Sequence, residues 1–390
     1  MSATTEVHNA AAAGDAVALA RLLVATPSVN PTLAPGGQGE AEVAEVAGGL
    51  LRGWGFDVTT TPVQPGRVNV VGRLDGSGPT LLLNGHLDTV GVDGMTIDPW
   101  GAELRDGRLL GRGSCDMKAG VAALMAAACR MARQGPRPGL IVALTCDEEH
   151  ASIGMDALVR AGVAADLAVV CEPTSLAVMP AHKGFVWVEA AFRGRAAHGS
   201  RPDQGIDAIR HAGLYLAALD GYARDLESRT AHPLLGHGSF HAGTIRGGVA
   251  ESVYPERCTL LLERRTLPGE ATAAVMEEFT GVLDALQDRE PEMAATLTMT
   301  LDRPGTEVDG ESTLVRGLLD AGRAHGVEPV VEGMTAWVDA AFLNEAGIPA
   351  VCYGPGDIAQ AHSAAEWCDV AQIATCADVL ETFGRSLAAG

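Results

Sequence analysis

The segment LIVALTCDEEH, Leu140 to His150, sends a short run of apolar and β-branched residues straight into three consecutive carboxylates. Such a run fits a strand covered on both faces, as in a parallel sheet flanked by helices. Asp147, Glu148 and Glu149 repel one another, and each would ionise more easily alone. A cation is the simplest way to hold them together. The chain should then carry further ligands at comparable places.

It does. TLLLNGHLDTV ends in His86 and Asp88, and LLGRGSCDMKAG sets Asp116 at a Gly-rich turn just before a helix. LAVVCEPT delivers Glu172, with Pro173 ending the strand, and AVCYGPGDIAQAHSAAEW carries His362 on a loop after its strand. In open α/β sheets the carboxyl ends of parallel strands form the crevice where ligands bind. Alone, each residue has a plainer reading: a satisfied loop histidine, a helix N-cap at Asp116, a solvated acidic turn. Their recurrence at strand ends favours one shared site. Two imidazoles with three carboxylates suit zinc, with cobalt or manganese as substitutes. One ion needs only three of them, so five are better shared by two ions roughly 3.5–4 Å apart, with one carboxylate bridging. His86-x-Asp88 suggests that the Asp88 carboxylate accepts the second imidazole N–H and fixes the tautomer.

From Ala41 to Thr174 helical and strand-like segments alternate, which predicts an α/β layer with a mixed, largely parallel sheet and helices on both faces. Near His182 the pattern becomes strand-helix-strand-strand-helix-strand, the split βαβ order, and after Pro304 the first pattern returns. A chain of 390 residues usually forms two domains. The expectation is a discontinuous catalytic domain, 1–181 and 304–390, with an inserted α+β (βαββαβ) domain at 182–303. A net charge of −21 leaves no basic field for nucleic acid or an anionic membrane. No stretch approaches the ~20 apolar residues of a membrane span. MSATTEVHNAAAAGDAVALARLL reads as one amphipathic helix with Leu19, Leu22 and Leu23 on one side, not as a secretion signal. Eight cysteines without a CxxC spacing suggest reduced thiols and a cytoplasmic protein.

In order along the chain, GHLDTV, GRGSCDMKAG, CDEEH, CEPT and GPGDIAQAHSAAEW resemble the successive motifs of the family containing acetylornithine deacetylase, succinyl-diaminopimelate desuccinylase, aminoacylase and the glutamate carboxypeptidases. These are dizinc amidohydrolases with an inserted lid domain, and the resemblance covers essentially the whole chain. It implies that His86 and Glu172 complete one zinc site and Glu149 and His362 the other. Asp116 would bridge, with a cis peptide to Met117. Glu148 would be the general base acting on a water between the ions, leaving Asp147 a structural part. His198, in RGRAAHGSRPDQG, would bind the carbonyl oxygen or oxyanion, often in a neighbouring subunit's site. Arg265, in ERRTLPGE, would grip a substrate carboxylate, helped by the backbone N–H groups of Gly354 and Gly356. Without the resemblance, His198 reads as an exposed loop residue, Arg264 as a surface strand arginine and GPG as a plain turn. One departure stands out: GGVAESVYPERC places Ser252, after Glu251, where many relatives have Asn, and Ser is shorter and offers a different donor set. Ala119 likewise stands where a glycine is common.

The resemblance implies hydrolysis of an acetyl- or succinyl-type group from an N-acyl amino acid. The alternatives are a dipeptidase or carboxypeptidase, an amide-forming or acyl-transfer enzyme using the same site, and a catalytically silent binding protein. The last should have lost Glu148 or several ligands, and this chain retains them all. The resemblance also implies a homodimer through the lid, whose inserted sheet offers an edge that can pair or pack.

Overall fold

The computed structural model describes residues 3–388. Contacts divide the chain into two compact units, Met1–Pro180 with Val308–Glu332 and Val338–Gly390, and Ala181–Glu307 with Gly333–Trp337. The return of Gly333–Trp337 to the second unit has no counterpart in the sequence pattern.

At the centre of the first unit, four strands run parallel: Gly139–Thr145, Thr80–His86, Leu167–Val170 and Ala350–Cys352. Their register places His86 opposite Thr145 and Cys352 opposite Val170, so the strand ends lie side by side. Arg67–Leu74 and then Asp57–Gln64 extend one edge antiparallel, and Val178–His182 adds antiparallel at the other. The sheet is therefore mixed with a parallel core. Helix Lys118–Arg133 is buried along most of its length and packs against Ala16–Val24 and Val370–Leu387.

The N-terminal segment is not one helix. It breaks into Ala3–Ala12 and Ala16–Val24, because Gly14 adopts φ +83° and the Asp15 side chain accepts the Ala18 N–H, starting a second helix. Periodicity also gave no warning of the exposed edge strand Asp57–Gln64 or the short helix Ile153–Arg160. All eight cysteines are buried with free thiols. No described helix is long and apolar enough to cross a membrane.

The second unit is an antiparallel four-stranded sheet in the order Ser239–Gly247, Arg257–Thr266, Gly184–Arg193, Ala294–Arg303. Helices Ala208–Ser228 and Thr272–Gln287 complete the βαββαβ order, around a core that includes Phe192, Tyr215, Leu260 and Phe279. Alternation along Arg257–Thr266 turns Cys258, Leu260, Leu262 and Arg264 inward. Arg264 is thus not a surface residue: it is fully buried, its Nε donates to the Tyr222 hydroxyl at 2.8 Å, and it pairs with Glu270 at 2.6 Å.

Candidate metal centre

The parallel strands carry the acids and one imidazole to a common place. His86 ends its strand, Asp147–Glu149 follow Thr145, and Glu172 stands two residues past Val170. Asp116 lies in the turn before Lys118–Arg133, and its peptide bond to Met117 is cis, as the resemblance implies. Asp116 occupies the middle: Oδ1 lies 3.1 Å from His86 Nε2 and Oδ2 lies 3.4 Å from His362 Nε2. His362 Nε2 is also 2.9 Å from Glu149 Oε2. His86, Glu148 and Glu172 bring one donor atom each within 4.8 Å of one another, and so do His86, Asp116 and Glu149.

Charge and hydrogen bonding show what this cluster lacks. Burial, reinforced by neighbouring carboxylates, pushes Glu149 up to about 7 and Glu172 up to about 8, and raises Glu148 well above the usual carboxylate range. Hydrogen bonds to Asp116 and Glu149 lift His362 to about 10. At His86, burial opposes protonation, but the Asp116 hydrogen bond and surrounding acids outweigh it. Glu149 Oε1 and Glu172 Oε1 are buried and accept no hydrogen bond from any described group. Two imidazoles, three carboxylates and orphaned oxygens fit a pair of divalent cations. Metal uptake is therefore expected to release protons, and affinity should rise as pH is raised through 7 and 8. Calorimetry in buffers of different ionisation enthalpy checks this; affinity that is flat or falling over that window would count against the assignment.

One expected detail differs. His86 Nδ1 lies 3.0 Å from the Asp88 main-chain carbonyl and 3.6 Å from its carboxylate. The carboxylate is taken up elsewhere, with Oδ1 accepting the Glu148 N–H at 3.1 Å and Oδ2 the Glu149 N–H at 3.3 Å. Asp88 clamps the acidic turn and fixes the imidazole through its backbone.

Three supports gave no signal in the sequence reading. Buried Glu366 accepts from Arg112 Nη1 at 2.6 Å and from the N–H groups of Gly113, Cys115 and Asp116, which anchors the turn presenting Asp116. Asp339 is buried beside the cluster and raised by burial to about 7; Thr145 Oγ1 donates to it at 3.1 Å. Asn30, Glu40 and Arg67 lie behind the Asp147 turn.

Gly354 and Gly356 donate their N–H groups within the fold, to Thr174 Oγ1 at 3.0 Å and Gln372 Oε1 at 2.8 Å. Glycine is required there by packing: a Cβ at Gly354 would lie 2.4 Å from the Glu172 carbonyl, and one at Gly356 2.8 Å from Cys115 Sγ.

Within the second unit, His198 is exposed on its loop, with Nδ1 2.8 Å from Ser200 Oγ. The following Gly199 N–H donates to the Ser252 carbonyl at 2.7 Å, which brings His198 and Ser252 onto adjoining segments. Arg265 is half-buried, held by Glu263 at 2.6 Å and lying over the Phe185 ring.

The model of peptidase family M20/M25/M40 matches residues 82–385. An acetylornithine deacetylase of Myxococcus xanthus is 34% identical over 323 residues, spanning 80% of this chain and 82% of that protein. One of Vibrio vulnificus is 28% identical over 94% of this chain and 96% of its own length. Among solved structures, an aminopeptidase PepT from Bacillus cereus superposes with a TM-score of 0.78 at 20% identity, covering 95% of this chain and 97% of the other. A dinuclear metal-binding peptidase of the M20 family from Bacillus subtilis superposes at 0.75 with 17% identity and 99% coverage of both chains.

Proposed function

This chain belongs to peptidase family M20/M25/M40, and from that membership we propose that it is a dizinc amidohydrolase removing an acetyl- or succinyl-type group from an N-acyl amino acid. The observation that carries the reading is Asp116 placed between His86 and His362, one oxygen toward each. His86, Glu172 and Asp116 would hold one ion, and His362, Glu149 and Asp116 the other. Two zinc ions, or cobalt or manganese, would acidify a bound water and polarise the amide carbonyl. Glu148 takes the proton from the attacking water and passes it to the departing amine nitrogen.

The second unit enters the proposal as a lid. His198 would meet the carbonyl oxygen, Arg265 a substrate carboxylate, and the Ser252 segment the remainder of the substrate. Arg265 would have to exchange its bond with Glu263 for the ligand. His198→Ala is expected to lower kcat about 10²-fold or more, as loss of one oxyanion donor does, with the metal content unchanged. Wild-type kcat in that variant would remove His198 from the reaction.

The M. xanthus and V. vulnificus relatives favour deacylation. The second reading, a dipeptidase or carboxypeptidase, draws on the structural neighbours, whose low identity speaks for the fold. Kinetics on acetylated, succinylated and dipeptide substrates separate the two: the proposal expects the highest kcat/KM on an acylated amino acid, and a preference for dipeptides would reject it. We place the enzyme in the cytoplasm as a homodimer formed through the lid, and a monomer by light scattering would exclude the dimer.

A further inference from the structure

Behind the acidic turn lies a second buried set of charges, which meets the expected metal ligands only through Asp88, whose carboxylate accepts the Glu149 N–H and lies 3.6 Å from His86 Nδ1. Arg67, on the strand Arg67–Leu74, is 2% exposed. Its Nε and Nη2 donate to both oxygens of Glu40, at 2.7 Å to each in the shortest contacts. Nη2 also reaches Asp147 Oδ1 at 2.9 Å and lies 4.0 Å from Asp88 Oδ2. Asn30 Nδ2 ties the same two acids together, at 2.8 Å to Asp88 and 3.0 Å to Asp147.

One guanidinium thus faces three buried carboxylates. Desolvation makes such a cluster a poor source of stability, and apolar residues of similar volume often do as well or better. Stability alone does not account for such a cluster, and the local backbone supplies another reason. Asp147 adopts φ +68°, a left-handed conformation uncommon for a residue other than glycine. That kink is what sends the Glu148 and Glu149 N–H groups to separate oxygens of Asp88. Arg67 binds Asp147 directly, and Asn30 couples Asp147 to Asp88. The side chain of Glu40 closes the loop by accepting the Asp147 N–H at 3.3 Å.

We propose that Arg67, with Glu40 and Asn30, is a positioning residue for the reaction: it holds the Asp147 kink and the Asp88 clamp, and so sets where Glu148 and Glu149 point. The idea rests on the roles proposed above for those two glutamates. Arg67 acts through the turn and does not meet the substrate, so removing it should lower kcat and leave KM nearly unchanged. Moving Glu149 should also alter the ligand field of a bound ion.

The test is a comparison of cobalt-loaded wild-type protein with Arg67→Met, Arg67→Lys and Asp147→Asn, reading metal content, visible absorption and kinetics. Arg67→Met should keep two ions per chain, lose about 10- to 100-fold in kcat, the scale seen when groups supporting metal ligands are removed, and shift the cobalt absorption bands. Arg67→Lys keeps the charge but not the fork, and should recover part of the loss. Asp147→Asn is close to isosteric and carries the test should Arg67→Met fail to fold. Wild-type kcat and spectrum in Arg67→Met or in Asp147→Asn would overturn the positioning role, as would a lower melting temperature with an unchanged spectrum and kcat. Active wild-type protein that binds no cobalt and loses no activity to chelators would instead overturn the metal reading itself.

Discussion

Glu148→Gln is expected to lower kcat by about 10³-fold or more, within the range a general acid–base group contributes, while the protein still binds two divalent ions per chain. Glutamine keeps the size and shape, but it offers one acceptor oxygen and an NH2 donor in place of the carboxylate and cannot take up a proton. The backbone at this position is fixed by Asp88 independently of the side chain, since the clamp bonds the Glu148 N–H. The variant should therefore fold and load metal normally. Glu148 also lies within reach of His86 and Glu172, and this makes the metal content informative. Loss of an ion in Glu148→Gln would show that this carboxylate is a ligand, and turnover near wild type would show that it is not the base.

Asp116→Asn should have the second large effect, and by a different route. The carboxylate places one oxygen toward each histidine, and it stays ionised because its hydrogen bonds to His362 and His86 outweigh the cost of burial. An amide has a single oxygen and no charge. The variant is expected to bind one ion or none, and to lose about 10³-fold in kcat/KM, which corresponds to several kcal/mol of transition-state charge stabilisation. Metal analysis beside steady-state kinetics distinguishes it from Glu148→Gln, which should lose turnover alone. Two tightly held ions in Asp116→Asn would remove the bridge.

Much of this site could be read from one dimension because His86, the acidic turn and Glu172 each follow an apolar strand, and a parallel sheet brings those ends together. The run Leu140–Thr145 implied the strand, and the three acids after it implied the cation. What escaped depends on packing between distant segments. Glu366 follows His362 by four residues in AAEWC, and nothing local says that it caps the turn before Asp116. Arg67 opens the apolar strand RVNVVGRL, and a charge at the edge of a buried run was a clue that partners were needed, but not which ones. Asp88 was placed correctly beside His86, yet its carboxylate turned out to serve the acidic turn. The GPG turn reads two ways because glycine serves both anion binding and close packing, and Thr174 and Gln372, which accept its N–H groups, lie on other segments. The break in the N-terminal helix is local and legible: Gly14-Asp15 is a helix stop followed by an N-cap.

The central claim is that a pair of divalent ions sits around Asp116. Anomalous diffraction at the zinc edge, on crystals grown from protein assayed as active, tests it most directly. Two peaks are predicted, one between His86, Asp116 and Glu172 and the other between His362, Asp116 and Glu149. Active protein whose crystals show no anomalous peak among these five residues would contradict the account.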